Sequence, residues 1–87
     1  MYLIMVYDIG ENRVNKVLKI GRKYLNWVQN SVLEGEISTA GFEKLKMELK
    51  GIINKEEDSV IFYLMRTTNY SSREIMGLQK GGRDIII

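Results

Sequence analysis

The chain of 87 residues contains no Cys and no His. Thiolate chemistry, disulfides, zinc sites of the usual kind and imidazole bases are therefore excluded. Carboxylates, Tyr, Ser, Lys, Arg and a hard metal ion held by oxygen are what remain for chemistry. One carboxylate is placed unusually. The chain opens MYLIMVYDIG, so that an apolar run ends abruptly on Asp8. Two readings follow from that position. Asp8 can hold a cation at the end of a strand, or it can favour the start of the next helix, where a negative charge and a free acceptor are both stabilising. Spacing alone favours the helix-capping role.

A second group is cationic. Arg13, Lys16, Lys19, Arg22 and Lys23 follow one another with no acid between them. Such residues are usually a solvated helix face, but they also suit a phosphate backbone, with Arg13 the best single candidate because a guanidinium grips phosphate through two bonds. Gln29, Asn30 and Ser31 interrupt an apolar stretch. Ser31 has no base to activate it as a nucleophile, which leaves phosphate contact or plain solvent exposure. Tyr7 falls on the opposite face of the strand from Asp8 and reads as core with a satisfied hydroxyl.

The elements that must position these groups are legible from periodicity. Tyr2 to Tyr7 reads as a strand apolar on both faces, hence central. A turn at Asp8–Asn12 leads into a helix over about Arg13–Tyr24, with Val14, Val17, Leu18 and Leu25 on its buried stripe and Lys16, Lys19 and Lys23 opposite. An extended segment over about Asn26–Glu36 follows, with Gly35 marking a bulge, bend or turn, and divides naturally into two short strands. Ser38 or Thr39 caps a second helix over about Ala40–Ile53. NKEED is a polar loop and SVIFYLM another buried strand, while REIMGL suggests a further short strand. The order is that of a split βαβ, ferredoxin-like βαββαβ fold: an antiparallel sheet with two helices on one face and an extra C-terminal strand.

The expected organisation is one domain over residues 1–87, with 67–87 a looser extension. The uncovered sheet face and the terminal Ile85-Ile86-Ile87 point to dimerisation, since a core this small is commonly completed by a partner. The apolar start is short and meets Asp8 at once, and no stretch has the length of a membrane span, so a protein of the cytoplasm without a membrane partner is expected.

Four segments, YDI, RVNKVLK, WVQNSVLEGE and DSVIFYL, appear in this order. Together they resemble the small CRISPR-associated endoribonuclease family, the compact partner of the CRISPR spacer integrase. The resemblance runs over roughly residues 1–64. It implies a ferredoxin-like homodimer working in antiviral spacer acquisition, with integrase subunits and RNA or duplex DNA as partners. It also implies a metal-dependent endonuclease that hydrolyses phosphodiester bonds, in which Asp8 is the catalytic and metal-binding residue for Mg²⁺ or Mn²⁺. Two copies of Asp8 would then share one ion across a dimer cleft. Arg13, Lys16, Lys19, Arg22, Lys23 and Ser31 are the expected nucleic-acid contacts. The alternative is a non-catalytic dimeric scaffold that holds duplex DNA between integrase subunits.

Overall fold

The computed structural model describes residues 1–66 and Met76. Six elements follow in the order β1 (Tyr2–Asp8), α1 (Glu11–Gly21), β2 (Asn26–Gln29), β3 (Val32–Glu36), α2 (Thr39–Lys50) and β4 (Ser59–Met65). The sheet runs β2-β3-β1-β4, with every neighbouring pair antiparallel. This is the βαββαβ arrangement expected from the sequence. The additional strand and the terminal isoleucines expected beyond β4 lie outside the described residues.

β1 is central because its side chains can be buried. Leu3, Met5 and Tyr7 alternate onto the helix-covered face and join Val17, Leu33, Phe42, Leu45 and Leu49 in one core. Leu3 and Met5 are fully buried. The intervening Ile4 and Val6 are half-buried on the other face, and Asp8 at the end of that series is exposed. Period-two alternation therefore separates Tyr7 from Asp8, as the sequence suggested.

The helices start for different reasons. α2 is capped by the Ser38 hydroxyl oxygen, which accepts the Gly41 N–H at 3.0 Å. α1 begins at Glu11 rather than Arg13, with Gly10 at its cap position and no side chain bonded there. Asp8 is thus not a capping residue. α1 also ends at Gly21, earlier than Tyr24, and a turn carries Tyr24 and Leu25 back to the sheet through N–H bonds to the Gly21 carbonyl at 3.0 and 2.8 Å.

Two further expectations are corrected. Gly35 marks no bulge: it lies inside β3 opposite Leu3. The irregularity falls between Trp27 and Gln29 in β2 instead. The reversal is made by Asn30, whose φ of 41° lies in the left-handed region that Asn tolerates. β4 is only partly buried, because it is the edge of the described sheet. Val60 and Phe62 face the core, with the Phe62 ring edge-on to Phe42 at a centroid distance of 5.1 Å. Ile61 and Tyr63, on the face away from the helices, are exposed.

Gly21 shows how tightly α1 meets the sheet. A Cβ there would stand 2.4 Å from Leu33 Cδ1, and Leu33 is fully buried with nowhere to retreat. Overpacking of a filled core costs about 1–3 kcal/mol. Gly21→Ala is therefore expected to lower the denaturation midpoint, despite the better helix propensity of alanine. An unchanged or raised midpoint would show that the Leu33 contact yields easily.

Candidate metal and nucleic-acid site

The described chain gathers several polar groups at one end of the sheet, where β1 finishes. Asp8 is the last residue of β1 and pairs directly with Ser59, the first residue of β4. Directly opposed residues project to the same face of a sheet, so the Asp8 carboxylate and the Ser59 hydroxyl share the face away from the helices. The β2–β3 reversal arrives at the same end. The Tyr7 N–H donates to the Ser31 carbonyl at 3.1 Å. The Asn30 carbonyl accepts the Tyr7 hydroxyl at 3.4 Å and the Trp27 indole N–H at 3.0 Å. Burial pushes the Tyr7 phenol up from its ordinary pKa, so it stays a neutral core group and not a proton-transfer residue.

Asp8 itself carries no side-chain hydrogen bond or ion pair among the described residues, and it is exposed. It is available to a ligand. No cluster of three or more His, Cys, Asp or Glu side chains suited to a metal occurs among the described residues. Asp8 is thus not part of a preformed carboxylate cluster among the described residues. That donor set fits a hard divalent ion that keeps most of its waters and takes one or two carboxylates. It does not fit an enclosed site for a soft metal.

Behind Asp8 lies an ion pair that the sequence does not announce. Asp58 Oδ2 accepts Arg13 Nε at 2.6 Å, and Oδ1 accepts Arg13 Nη2 at 2.9 Å. The same carboxylate accepts the Gly10 N–H at 2.8 Å and the Asn54 N–H at 2.8 Å. Its side chain has 0% of its surface exposed. The bidentate guanidinium, with the two backbone donors, holds the Asp58 carboxyl well below the usual carboxylate range. Arg13 gains further from Glu57 at 3.1 Å and is raised above its ordinary pKa, mainly by the Asp58 bond.

The cationic residues thus divide. Arg13 is committed to Asp58. Lys23 pairs with Glu48, which also accepts the Tyr24 hydroxyl, tying the turn after α1 to α2. The two contacts lower the Glu48 carboxyl, the lysine first. Lys16, Lys19 and Arg22 remain exposed, with no carboxylate partner among the described residues, and Arg22 lies 5.8 Å over the Trp27 ring. Asp8, Arg13 and Ser31 are brought to one end of the sheet. Lys19, Arg22 and Lys23 lie further along α1 and beyond its end. Ser59 and Asp58 were not singled out by sequence reasoning; the only signal was a carboxylate and a hydroxyl immediately before an apolar strand.

The fold is of the ferredoxin-like α+β class, with one exposed carboxylate at the end of its first strand and cations along its first helix. Comparison with known proteins narrows it. Residues 1–73 match the family model described as CRISPR associated protein Cas2, and the chain belongs to that family. It is 63% identical over 87 residues to a protein of Dictyoglomus turgidum named CRISPR-associated endoribonuclease Cas2, covering 100% of both chains. It is 57% identical to the protein of the same name from Thermotoga maritima, covering 93% of each. A solved structure entitled crystal structure of cas2 superposes with a TM-score of 0.83 at 44% identity, covering 100% of this chain and 98% of the other. Among the described residues no helix is long and apolar enough to cross a membrane.

The depressed Asp58 carboxyl fixes the sign of an acid effect. An unfolded carboxylate titrates near about pH 3.9. The native one titrates lower, so its contribution is complete above about pH 4 and is lost as pH falls toward the native value. Urea midpoints at pH 5 and pH 3 should show a steep loss in the parent chain. Asp58→Asn should be less stable at pH 5 and lose less between the two. Parallel lines for the two proteins would mean that Asp58 is not a linked group.

Proposed function

We propose that the protein is a metal-dependent endonuclease subunit of the CRISPR spacer-acquisition machinery in the cytoplasm, acting as a homodimer on phosphodiester bonds of RNA or DNA. One observation carries this reading: Asp8 is delivered by a buried central strand to an exposed position without a protein partner among the described residues. The relatives named CRISPR-associated endoribonuclease Cas2 support the nuclease class.

In this reading Asp8 supplies the protein's charge to a Mg²⁺ or Mn²⁺ ion, with a second Asp8 from the other copy. A bound ion of this kind neutralises the phosphodiester and lowers the pKa of a coordinated water. Ser59, on the same face, is placed to hold a water or a phosphate oxygen by hydrogen bonding. Hydrolysis joins the water oxygen to phosphorus and breaks one P–O ester bond, the departing oxygen taking up a proton. Lys16, Lys19 and Arg22 attract the polyanion and fix its path along α1. Arg13 and Lys23, with carboxylate partners, contribute less to that path, and Ser31 lies beside it at the β2–β3 reversal.

A second reading, a scaffold for duplex DNA between integrase subunits, is favoured by the lack of a three-residue metal cluster among the described residues and by the exposed cations of α1. Both readings require binding that weakens steeply with salt. Lys16→Ala and Lys19→Ala should each reduce the slope of log K against log salt by about one unit if they neutralise a phosphate. Unchanged slopes would remove α1 from the interface.

Only the nuclease reading ties activity to Asp8. Asp8→Asn should abolish cleavage in Mg²⁺ or Mn²⁺. It should leave oligomeric state and nucleic-acid affinity in place and change stability by less than about 0.5 kcal/mol, since the side chain is exposed. Cleavage that survives this substitution would leave the scaffold reading standing alone.

A further inference from the structure

Asp8 is held in place by a closed set of contacts. It pairs with Ser59 across β1 and β4. Two residues further on, the Gly10 N–H donates to Asp58, the residue that precedes Ser59. The strand pair and this hydrogen bond close a short ring, Asp8-Ile9-Gly10 on one side and Asp58-Ser59 on the other. The direction in which Asp8 leaves the sheet depends on where Asp58 sits.

Arg13 determines that. Its guanidinium holds both Asp58 oxygens, and Asn54 holds the carboxylate from the loop side. The residue at position 10 is shaped to this arrangement. A Cβ on Gly10 would stand 2.5 Å from Arg13 Nη2 and 3.2 Å from Cζ. Gly10 has an ordinary φ of −56°. Glycine is therefore required here by the guanidinium lying across it and not by backbone conformation.

Bound to Asp58 through both prongs, with its side chain mostly enclosed, the Arg13 guanidinium is not free to take a phosphate.

We infer that Arg13 and Asp58 are positioning residues for Asp8: the pair, with Gly10 beneath it, fixes the turn that aims Asp8. The inference rests on the reading of Asp8 as the metal ligand. It also reassigns Arg13 from phosphate contact to internal clamp.

Five single variants test it in the full-length protein: Arg13→Lys, Asp58→Asn, Gly10→Ala, Asp8→Asn and Arg13→Gln. Lysine keeps the charge but cannot supply the two-pronged contact, which makes it the gentlest disruption. Alanine at position 10 displaces the guanidinium without touching either charge. Mn²⁺ affinity should fall roughly 10- to 100-fold in each of the first three, the range seen when groups orienting a metal ligand are removed. In each, kcat should fall with the KM for nucleic acid unchanged. The double variant Arg13→Lys/Asp58→Asn should be no worse than the poorer single, as expected of partners in one interaction.

Mn²⁺ affinities within twofold of the parent in Arg13→Lys and Gly10→Ala would overturn the inference. So would Arg13→Gln raising KM and lowering the salt slope by about one unit while Asp58→Asn does neither, since that pattern belongs to a phosphate contact. If Asp8→Asn itself leaves Mn²⁺ binding unchanged, the metal-ligand reading of Asp8 fails separately. The clamp is then judged in the metal-free protein by the carboxyl ¹³C resonance of Asp8. That signal should move in Arg13→Lys and Gly10→Ala and stay fixed in Lys44→Ala, a surface control. An unmoved resonance in the clamp variants would refute the positioning role.

Discussion

A buried carboxylate must be fully partnered, and Asp58 is. Four N–H donors converge on it, two from Arg13 and one each from Gly10 and Asn54. A charge taken out of water and left unpaired is strongly destabilising, so these four groups are bound to stay together. They belong to the β1–α1 turn, the first turn of α1 and the loop before β4. The end of the sheet where Asp8 emerges is therefore the most constrained polar region among the described residues, although Asp8 itself is not part of the hydrogen-bonded set.

That constraint reorganises the charges of α1. Five cations follow Asp8 in sequence, but two are consumed by carboxylates, Arg13 by Asp58 and Glu57, and Lys23 by Glu48. The charges left facing solvent are Lys16, Lys19 and Arg22. Lys16 and Lys19 are three residues apart and so adjacent on one side of the helix. The internal pairs hold the elements in place; the remaining cations are the ones whose field reaches solvent. The exposed Asp8 carboxylate ends the outer-face series of β1, whereas Lys16 and Lys19 lie on the helix, so the two kinds of charge occupy separate parts of the molecule.

The element order was legible in the sequence because β1, α1 and α2 each bury one side with the right period. The Tyr7–Asp8 division was legible for the same reason, and Ser38 as a cap followed from local chemistry. Gly35 misled, since a glycine inside a strand usually signals a bulge, whereas here Leu25 and Asn26 pack close beside it. β4 misled because an apolar run does not reveal whether its second face is covered. The Arg13–Asp58 pair was hidden for a different reason. Its partners are 45 residues apart, and NKEED read as an ordinary solvated loop. Arginine's fitness for phosphate is its fitness for carboxylate too, so residue type alone could not separate the two roles.

Stoichiometry of Mn²⁺ on the dimer, measured by titration with electron paramagnetic resonance, tests the shared-carboxylate site most directly. In the proposed homodimer, one Asp8 from each chain sharing an ion requires one tightly bound ion per two chains, lost in Asp8→Ala. One ion per chain, or binding that survives Asp8→Ala, would contradict it and place any metal elsewhere on the molecule.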